Sequence, residues 1–212
     1  MCDGCSESFD LCHTLNCKKG GLVTACHNEF RDLNCDLCSM AGLSQIISEP
    51  ILQESNENED LEGLRADWSV RGFWDSQKTA LFDVCIFNAD ASSLKNQPLQ
   101  SVFNVKKNMK KSKYCKAAAA RRASFTPVIA SCEAILDNEA EINVKRLATI
   151  LSIYAFEVRE RNGEVLGLCI SQLFQRIYWR LIRKHHYYIF LFFILYILFC
   201  DNSYATSYHL IV

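Results

Sequence analysis

The opening seventeen residues constrain this chain most: Cys2, Cys5, His13 and Cys17 are spaced Cys-x2-Cys-x7-His-x3-Cys. A tetrahedral zinc site takes four thiolate or imidazole ligands, usually one close pair on a tight turn and a second pair further on. Asp3-Gly4 supplies the turn within the first pair, and Gly20-Gly21 releases the chain after the second. Folding of so small a module is tied to its metal, so residues 1–24 are predicted to form a zinc knuckle. Cys12 and the Cys26-His27 pair lie near enough in sequence to serve as substitutes, which leaves the ligand set more open than the site. Without a metal the same residues are reduced thiols at a chain end.

The remainder, in a chain of 212 residues with net charge −1, suffices for one sizeable core with small appendages. Net charge says nothing about partners, but its distribution does. Twelve cysteines would suggest a disulfide framework in a short secreted chain. The acidic, Cys-rich start lacks the basic and apolar regions of a signal peptide. The expectation is an intracellular, reducing compartment, with some cysteines on metal and the rest packed as small hydrophobes.

Cys26, Phe30, Leu33, Leu37 and Met40 recur at steps of four and three, the apolar stripe of a helix ending near Gly42. Glu29 stands at the edge of that stripe. Ile46 to Leu52 reads as a short strand interrupted by Glu49-Pro50, and the five acids between Glu54 and Glu62 mark a solvated loop. Ala66 to Val70 and Thr79 to Phe87 read as two strands joined by a long hairpin loop over Arg71 to Lys78. The second is nearly continuous apolar sequence, as expected of a strand covered on both faces. Asp83 breaks it. An isolated carboxylate there would cost several kcal/mol unless paired or bound to a cation.

Lys106 to Arg122 holds eight basic residues and no acid, with Ala117 to Ala120 favouring helix. Phe125 to Ser131 reads as a further strand, and helices are predicted over about 137–161 and 165–184. The order helix, strand, hairpin pair, helix, strand, helix indicates an α/β domain whose basic helix crosses between parallel strands. The boundaries follow as 1–24 for the knuckle, 25–161 for the α/β domain, 162–186 for a C-terminal helix and 187–212 for a hydrophobic tail. Within that tail, Tyr187 to Cys200 are fourteen uncharged residues, short of the roughly twenty that span a bilayer. Arg180, Arg183 and Lys184 before them would suit an anchor with its basic end in the cytoplasm; a buried or unstructured tail is the plainer alternative.

Under this topology Asp67 and Asp83 lie on paired strands, and Glu29 comes from the helix packed across them. Hard oxygen ligands grouped in this way suit Mg²⁺ or Mn²⁺, which activates water and stabilises charge on a scissile phosphate. Lys106, Lys107, Lys110, Lys111, Lys113, Arg121 and Arg122 supply the matching charge for a DNA or RNA backbone. Each feature has an ordinary counterpart: Asp67 as a turn acid beside Arg65 or Arg71, Asp83 in a structural bridge with Lys78, and the basic run as a solvated helix face.

The knuckle, Lys19-Gly20-Gly21, His27-Asn28-Glu29, Arg65-Ala66-Asp67 and, after fifteen intervening residues, Asp83 together resemble the C-terminal region of certain non-LTR retrotransposon polyproteins. There a CCHC zinc knuckle precedes a restriction-like endonuclease of the PD-(D/E)xK fold. Asp67 to Trp74, Leu81 to Val84, Ser124 to Pro127 and Lys145 to Leu147 extend the likeness over about residues 2–180. The resemblance implies a restriction-endonuclease-like core of helix, three strands, crossover helix and strand. It also implies metal-dependent DNA cleavage, with Asp67 and Asp83 as ligands, Glu29 as a third, and a nuclear location.

One departure bears on chemistry. The family pattern places Lys or Arg two residues after the second acid, where this chain has Cys85, and a thiol cannot orient water or stabilise a phosphorane as a cation does. Lys78 or Lys106 are the candidates to supply that charge from elsewhere. Two readings therefore stand: an endonuclease-like protein, and a zinc-dependent nucleic-acid-binding module without catalysis. A membrane-anchored protein, resting on residues 187–200 alone, is a third.

Overall fold

The computed structural model describes residues 1–2, 5–8, 13, 17, 19, 22–54, 63–91, 93–94, 96–132 and 135–162. The expected helix over 165–184 and the tail 187–212 lie outside them, as does most of the acidic loop. Among the described residues no helix is long and apolar enough to cross a membrane.

Helix α1 spans Leu22–Met40 and buries Phe30, Leu33, Leu37 and Cys38, the stripe anticipated from periodicity. It ends in a Schellman turn: Leu43 N–H donates to Cys38 O at 3.1 Å and Gly42 N–H to Ser39 O at 3.1 Å. Gly42 has φ +70°, and a Cβ there would come within 2.6 Å of the Tyr154 ring, so glycine is required twice over.

The strand expected over Ile46 to Leu52 is in fact two, on separate sheets: β1 (Ser44–Ser48) and β2 (Ile51–Gln53). Glu49 takes φ +52° and Pro50 cannot donate to a ladder, so the chain turns out of the first sheet. There β2 pairs with the short β3 (Leu64–Arg65) in a two-stranded ribbon. Likewise Ala66 to Val70 is not one uninterrupted strand: β4 covers Trp68–Arg71, with Asp67 just before it. Then come β5 (Thr79–Phe87), the long α2 (Leu99–Ala120), β6 (Ser124–Ser131) and α3 (Asn138–Asn162). α2 begins seven residues before the basic run that announced it.

The main sheet has strand order β1-β4-β5-β6. β1, β4 and β5 are antiparallel neighbours, whereas β6 runs parallel to β5 with Asp83 opposite Pro127. α2 is the connection that parallel pairing requires. Pro127 is tolerated because β6 is the outer strand. The result is a mixed α/β fold with a mixed sheet and three helices among the described residues.

Alternation along β5 sorts its side chains between two cores. Phe82 and Val84 join α1 and α3 residues in the larger core, where Phe82 stacks on Trp68 at 4.8 Å. Leu81 and Phe87 face α2, packed with Tyr114 and with Phe103 in two smaller clusters. Asp83 shares that second face.

Half-buried Cys35 and buried Cys38 pack as small apolar residues, their thiols pushed up to about 11 and about 12 chiefly by burial. None of Cys2, Cys5, Cys17, Cys35, Cys38, Cys85, Cys115 and Cys132 is joined in a disulfide.

Candidate functional site

The four N-terminal residues singled out by spacing do converge. The ligand atoms of Cys2, Cys5, His13 and Cys17 all lie within 4.8 Å of one another. The Cys2–Cys17 and Cys5–Cys17 sulfur pairs are 3.7 and 3.8 Å apart, and His13 Nε2 is 3.2 Å from Cys5 Sγ. Zn–S bonds of about 2.3 Å at tetrahedral corners place sulfurs roughly 3.8 Å apart, so the arrangement is compatible with zinc.

Two local features build the cluster. Ser6 N–H donates to Cys2 O at 2.8 Å, closing the turn of the first pair, and Cys17 N–H donates to His13 O at 2.8 Å in the second. On the far side of the imidazole, His13 Nδ1 lies 3.6 Å from Glu7 Oε2, a carboxylate placed to orient a metal-ligating histidine. The Glu7 N–H lowers the Cys5 thiol pKa, but burial and the adjacent Cys2 and Cys17 thiols raise it further, for a net rise. Crowded thiols resist ionising together, a cost that a bound cation removes. Among the described residues this is the one set of three or more metal-ligating side chains whose atoms come together.

The acidic centre is assembled differently. Asp67 is fixed at the mouth of β4 by its own backbone, its N–H donating to Phe82 O at 2.9 Å and its carbonyl accepting from Glu49 N–H at 2.8 Å. Its carboxylate Oδ2 accepts from Val84 N–H at 2.5 Å, the amide that follows Asp83. Asp67 thus sits beside the backbone that follows Asp83, although it precedes β4 rather than belonging to it.

Asp83 is 4% exposed. Its carboxyl pKa is raised, first by burial and then by the Asp67 charge, against the opposing pull of Lys110 and a hydrogen bond from Tyr114. Lys110 Nζ forms an ion pair with Asp83 Oδ2. The Tyr114 hydroxyl is pushed up by burial and by its bond to Asp83, and its ring stacks on Phe125 at 4.9 Å.

From α1 it is His27, not Glu29, that touches Asp67, with Nε2 3.1 Å from Oδ2. Two residues on, Glu29 lies about 200° further round the helix and cannot share that direction; it is half-buried elsewhere on α1. The hydrogen bond to Asp67 raises the His27 pKa despite opposing desolvation.

Lys78 pairs with Asp75 at the hairpin tip at 3.5 Å, rather than with Asp83, and Lys106 stands 4.8 Å over the Phe87 ring. Burial raises the pKa of the Cys85 thiol against the lowering pull of Lys106 and Lys110.

The basic helix divides its cations between two tasks. Phe103, Lys107, Lys110, Tyr114 and Ala118 recur at steps of four and three, which puts two lysines on the stripe facing the protein. Lys107 pairs with Asp137 at 3.4 Å, whose side chain is fully buried and caps α3 through Ala140 N–H at 2.9 Å. Lys111 pairs with Glu139 at 2.5 Å. Lys113, Lys116, Arg121 and Arg122 are exposed.

His27, Lys110 and Tyr114 were not singled out as members of the acidic centre from sequence. A usable signal existed for Lys110: a lysine at an inward position of an amphipathic stripe needs a buried acid to answer it.

No protein-family model matches this chain, and no curated protein sequence matches it.

Proposed function

We propose that residues 25–161 form a restriction-endonuclease-like domain of retroelement origin that cuts DNA with Mg²⁺ or Mn²⁺, behind a structural zinc knuckle over residues 1–24. The observation that carries this reading is the juxtaposition of Asp67 with Asp83, a carboxylate 4% exposed in the middle of an apolar strand. A core strand accepts such a group only where a cation or hydrogen bonds answer it, and here Lys110 reaches it from α2. The helix, three-strand meander, crossover helix and parallel strand also support it, since that is the order the resemblance implies. A nuclear location follows from the substrate.

The two carboxylates are of the ligand type that a hard divalent cation takes. Asp67, just before β4, and Asp83, in β5, would offer carboxylate oxygens, with the rest of the shell left to water and phosphate. A bound cation supplies an activated water and charge stabilisation at phosphorus. The chain's own contribution is positional: Val84 N–H and His27 orient Asp67, while Tyr114 and Lys110 hold Asp83. Hydrolysis forms one P–O bond from water and breaks the P–O bond to the departing sugar oxygen, which leaves with a proton.

Nicking of supercoiled plasmid by the full chain, with Mg²⁺ or Mn²⁺ and with EDTA, tests this. Metal-dependent nicking that disappears in Asp83→Asn is the expected result; nicking that persists in Asp83→Asn rejects the site.

Cys85 favours a second reading, a zinc-dependent nucleic-acid-binding module without catalysis. Its position on the Asp83 face carries a thiol where the related pattern has a cation. Salt-dependent DNA binding without nicking is the outcome that selects it.

A further inference from the structure

We propose that Ser124 is the acceptor for a serine kinase that reads Arg121 and Arg122, and that its phosphorylation withdraws this end of α2 from nucleic acid. Two residues at the α2–β6 junction are poor choices for stability alone. Both belong to one short run, Arg121-Arg122-Ala123-Ser124-Phe125.

The first is Arg122. α2 ends in the same hydrogen-bond pattern as α1, with Ala123 N–H donating to Ala118 O at 3.0 Å and Arg122 N–H to Ala119 O at 2.9 Å. At the equivalent position α1 has Gly42 at φ +70°, whereas α2 holds Arg122 at φ +54°. Glycine takes that conformation without strain and arginine does not, so the turn itself gives no reason for the side chain. The second is Ser124, the first residue of β6. Its Oγ is closed off from solvent and has no hydrogen-bond partner among the described residues, a place better suited to alanine.

Phosphorylation gives both residues a reason. Arginines two and three residues before a serine, with an apolar residue after it, fit a kinase peptide groove lined with carboxylates, which grip guanidinium groups bidentately. Arg121 and Arg122 are exposed. β6 is the outer strand of its sheet, and Ser124 stands at the first position of the ladder, opposite Ala80. Opening this end releases the two turn bonds and the start of the ladder, and the serine hydroxyl leaves no bond behind. Element ends open at the lowest free energies. In the opened segment Ser124 Oγ attacks the γ-phosphorus of ATP. The Oγ–P bond forms as the P–O bond to ADP breaks, and the hydroxyl proton passes to a carboxylate of the kinase.

The product does not fit the closed position. Phosphoserine carries roughly −1.5 to −2 charges, which are costly to bury where no hydrogen bond answers them. It also lies at the negative end of the α2 dipole. The phosphate therefore turns outward to Arg121 and Arg122, two and three residues away, and these guanidiniums then answer an internal phosphate rather than DNA. This consequence rests on the nucleic-acid reading above; the modification itself does not.

The test incubates the full chain with ATP and the catalytic subunit of the cyclic-AMP-dependent kinase, an enzyme of this class, beside a peptide of residues 117–128. Mass spectrometry locates the phosphate. One phosphate on Ser124 is expected, and none on that peptide segment in Ser124→Ala. Arg122→Gly should lower kcat/KM at least about 10-fold, as the loss of a charge-assisted pair does. Both variants should melt no lower than the wild type, which separates lost recognition from a lost fold. Phosphorylation should flatten the log–log salt dependence of DNA binding by about 1.8, for two contacts at roughly 0.9 each.

An inert folded chain beside a phosphorylated peptide overturns the proposal, because the site then stays closed. So does failure on both, or phosphate on another serine alone; these outcomes are read on the wild type and need no variant. Kinetics unchanged in Arg122→Gly overturn its role in recognition. Modification at Ser124 with an unchanged salt slope overturns the effect on nucleic acid. A chain that binds no DNA before modification rejects the nucleic-acid reading, while phosphate on Ser124 still establishes the acceptor.

Discussion

Cys2 and Cys17 bring their sulfurs to 3.7 Å across a separation of fifteen residues, whereas His27 and Asp67 meet at 3.1 Å across forty. The first site is a local object, its geometry written into ligand spacing and two short turns. The second exists only because α1, β4, β5 and α2 pack together, and each acid takes its partner from a helix. The contrast teaches that a spacing motif identifies ligands well when the site is closed within one short segment. In a distributed site, helix rotation and packing choose among several chemically equivalent candidates.

The contrast predicts that the two regions respond to different perturbations. Cys5→Ser should have the largest effect on the N-terminal site, since about 10–16 kcal/mol of apparent binding free energy is at stake in a structural zinc site. Metal analysis should find one zinc per wild-type chain and none retained by the variant, with the α/β domain still folded. Stoichiometric zinc held with undiminished affinity would reject the ligand set.

Phe82→Ala should do the converse. Losing a ring stacked on Trp68 within the larger core should lower stability by about 3–5 kcal/mol in denaturant melts, with zinc content unchanged. Zinc lost along with the core would erase the distinction between the regions.

At the acidic centre, Mg²⁺ at 100 times its dissociation constant should add about 2.7 kcal/mol of stability by mass action. Asp83→Asn should abolish that increment in a thermal melt while leaving zinc in place. An increment that survives the substitution locates Mg²⁺ elsewhere.

The pH dependence is smaller and has a definite sign. His27 has a folded pKa raised above 6.5, mainly by its hydrogen bond to Asp67. Its contribution to stability is therefore full below the unfolded value and fades as pH rises through the folded one. In EDTA, Asp67→Asn should lower the His27 pKa seen by imidazole NMR and flatten that slope; an unmoved titration would show that the pair does not persist in solution.

The smallest effect concerns nucleic acid. With Lys107, Lys110 and Lys111 engaged by Asp137, Asp83 and Glu139, the phosphate contacts of α2 should come from Lys113, Lys116, Arg121 and Arg122. Changing these four to Gln should flatten the log–log salt dependence of DNA binding by roughly 0.9 per lost contact. An unchanged slope would leave the knuckle as the contact surface.

Much of the framework was legible without coordinates, for reasons that are local. The apolar run Thr79–Phe87 could only be a strand covered on both faces, and it is β5 over those same residues. The stripe from Phe30 to Leu37 and the glycine after it delimit α1, because 3.6-residue periodicity and a positive-φ cap are properties of the backbone alone. The zinc-compatible quartet was legible as a spacing, with Cys12, Cys26 and His27 left as possible substitutes until the four ligand atoms were seen together.

Tertiary structure alone decided the rest. That Glu49 leaves the sheet at positive φ, splitting Ile46–Leu52, depends on where β1 and β2 find partners, and the apolar pattern is silent on that. His27 rather than Glu29 meets Asp67 because α1 is rotated by its buried stripe. Lys110, and neither Lys78 nor Lys106, meets Asp83 because α2 crosses the sheet at that turn. Residue type told which groups could pair; only packing, which sets distance and direction, told which of them do.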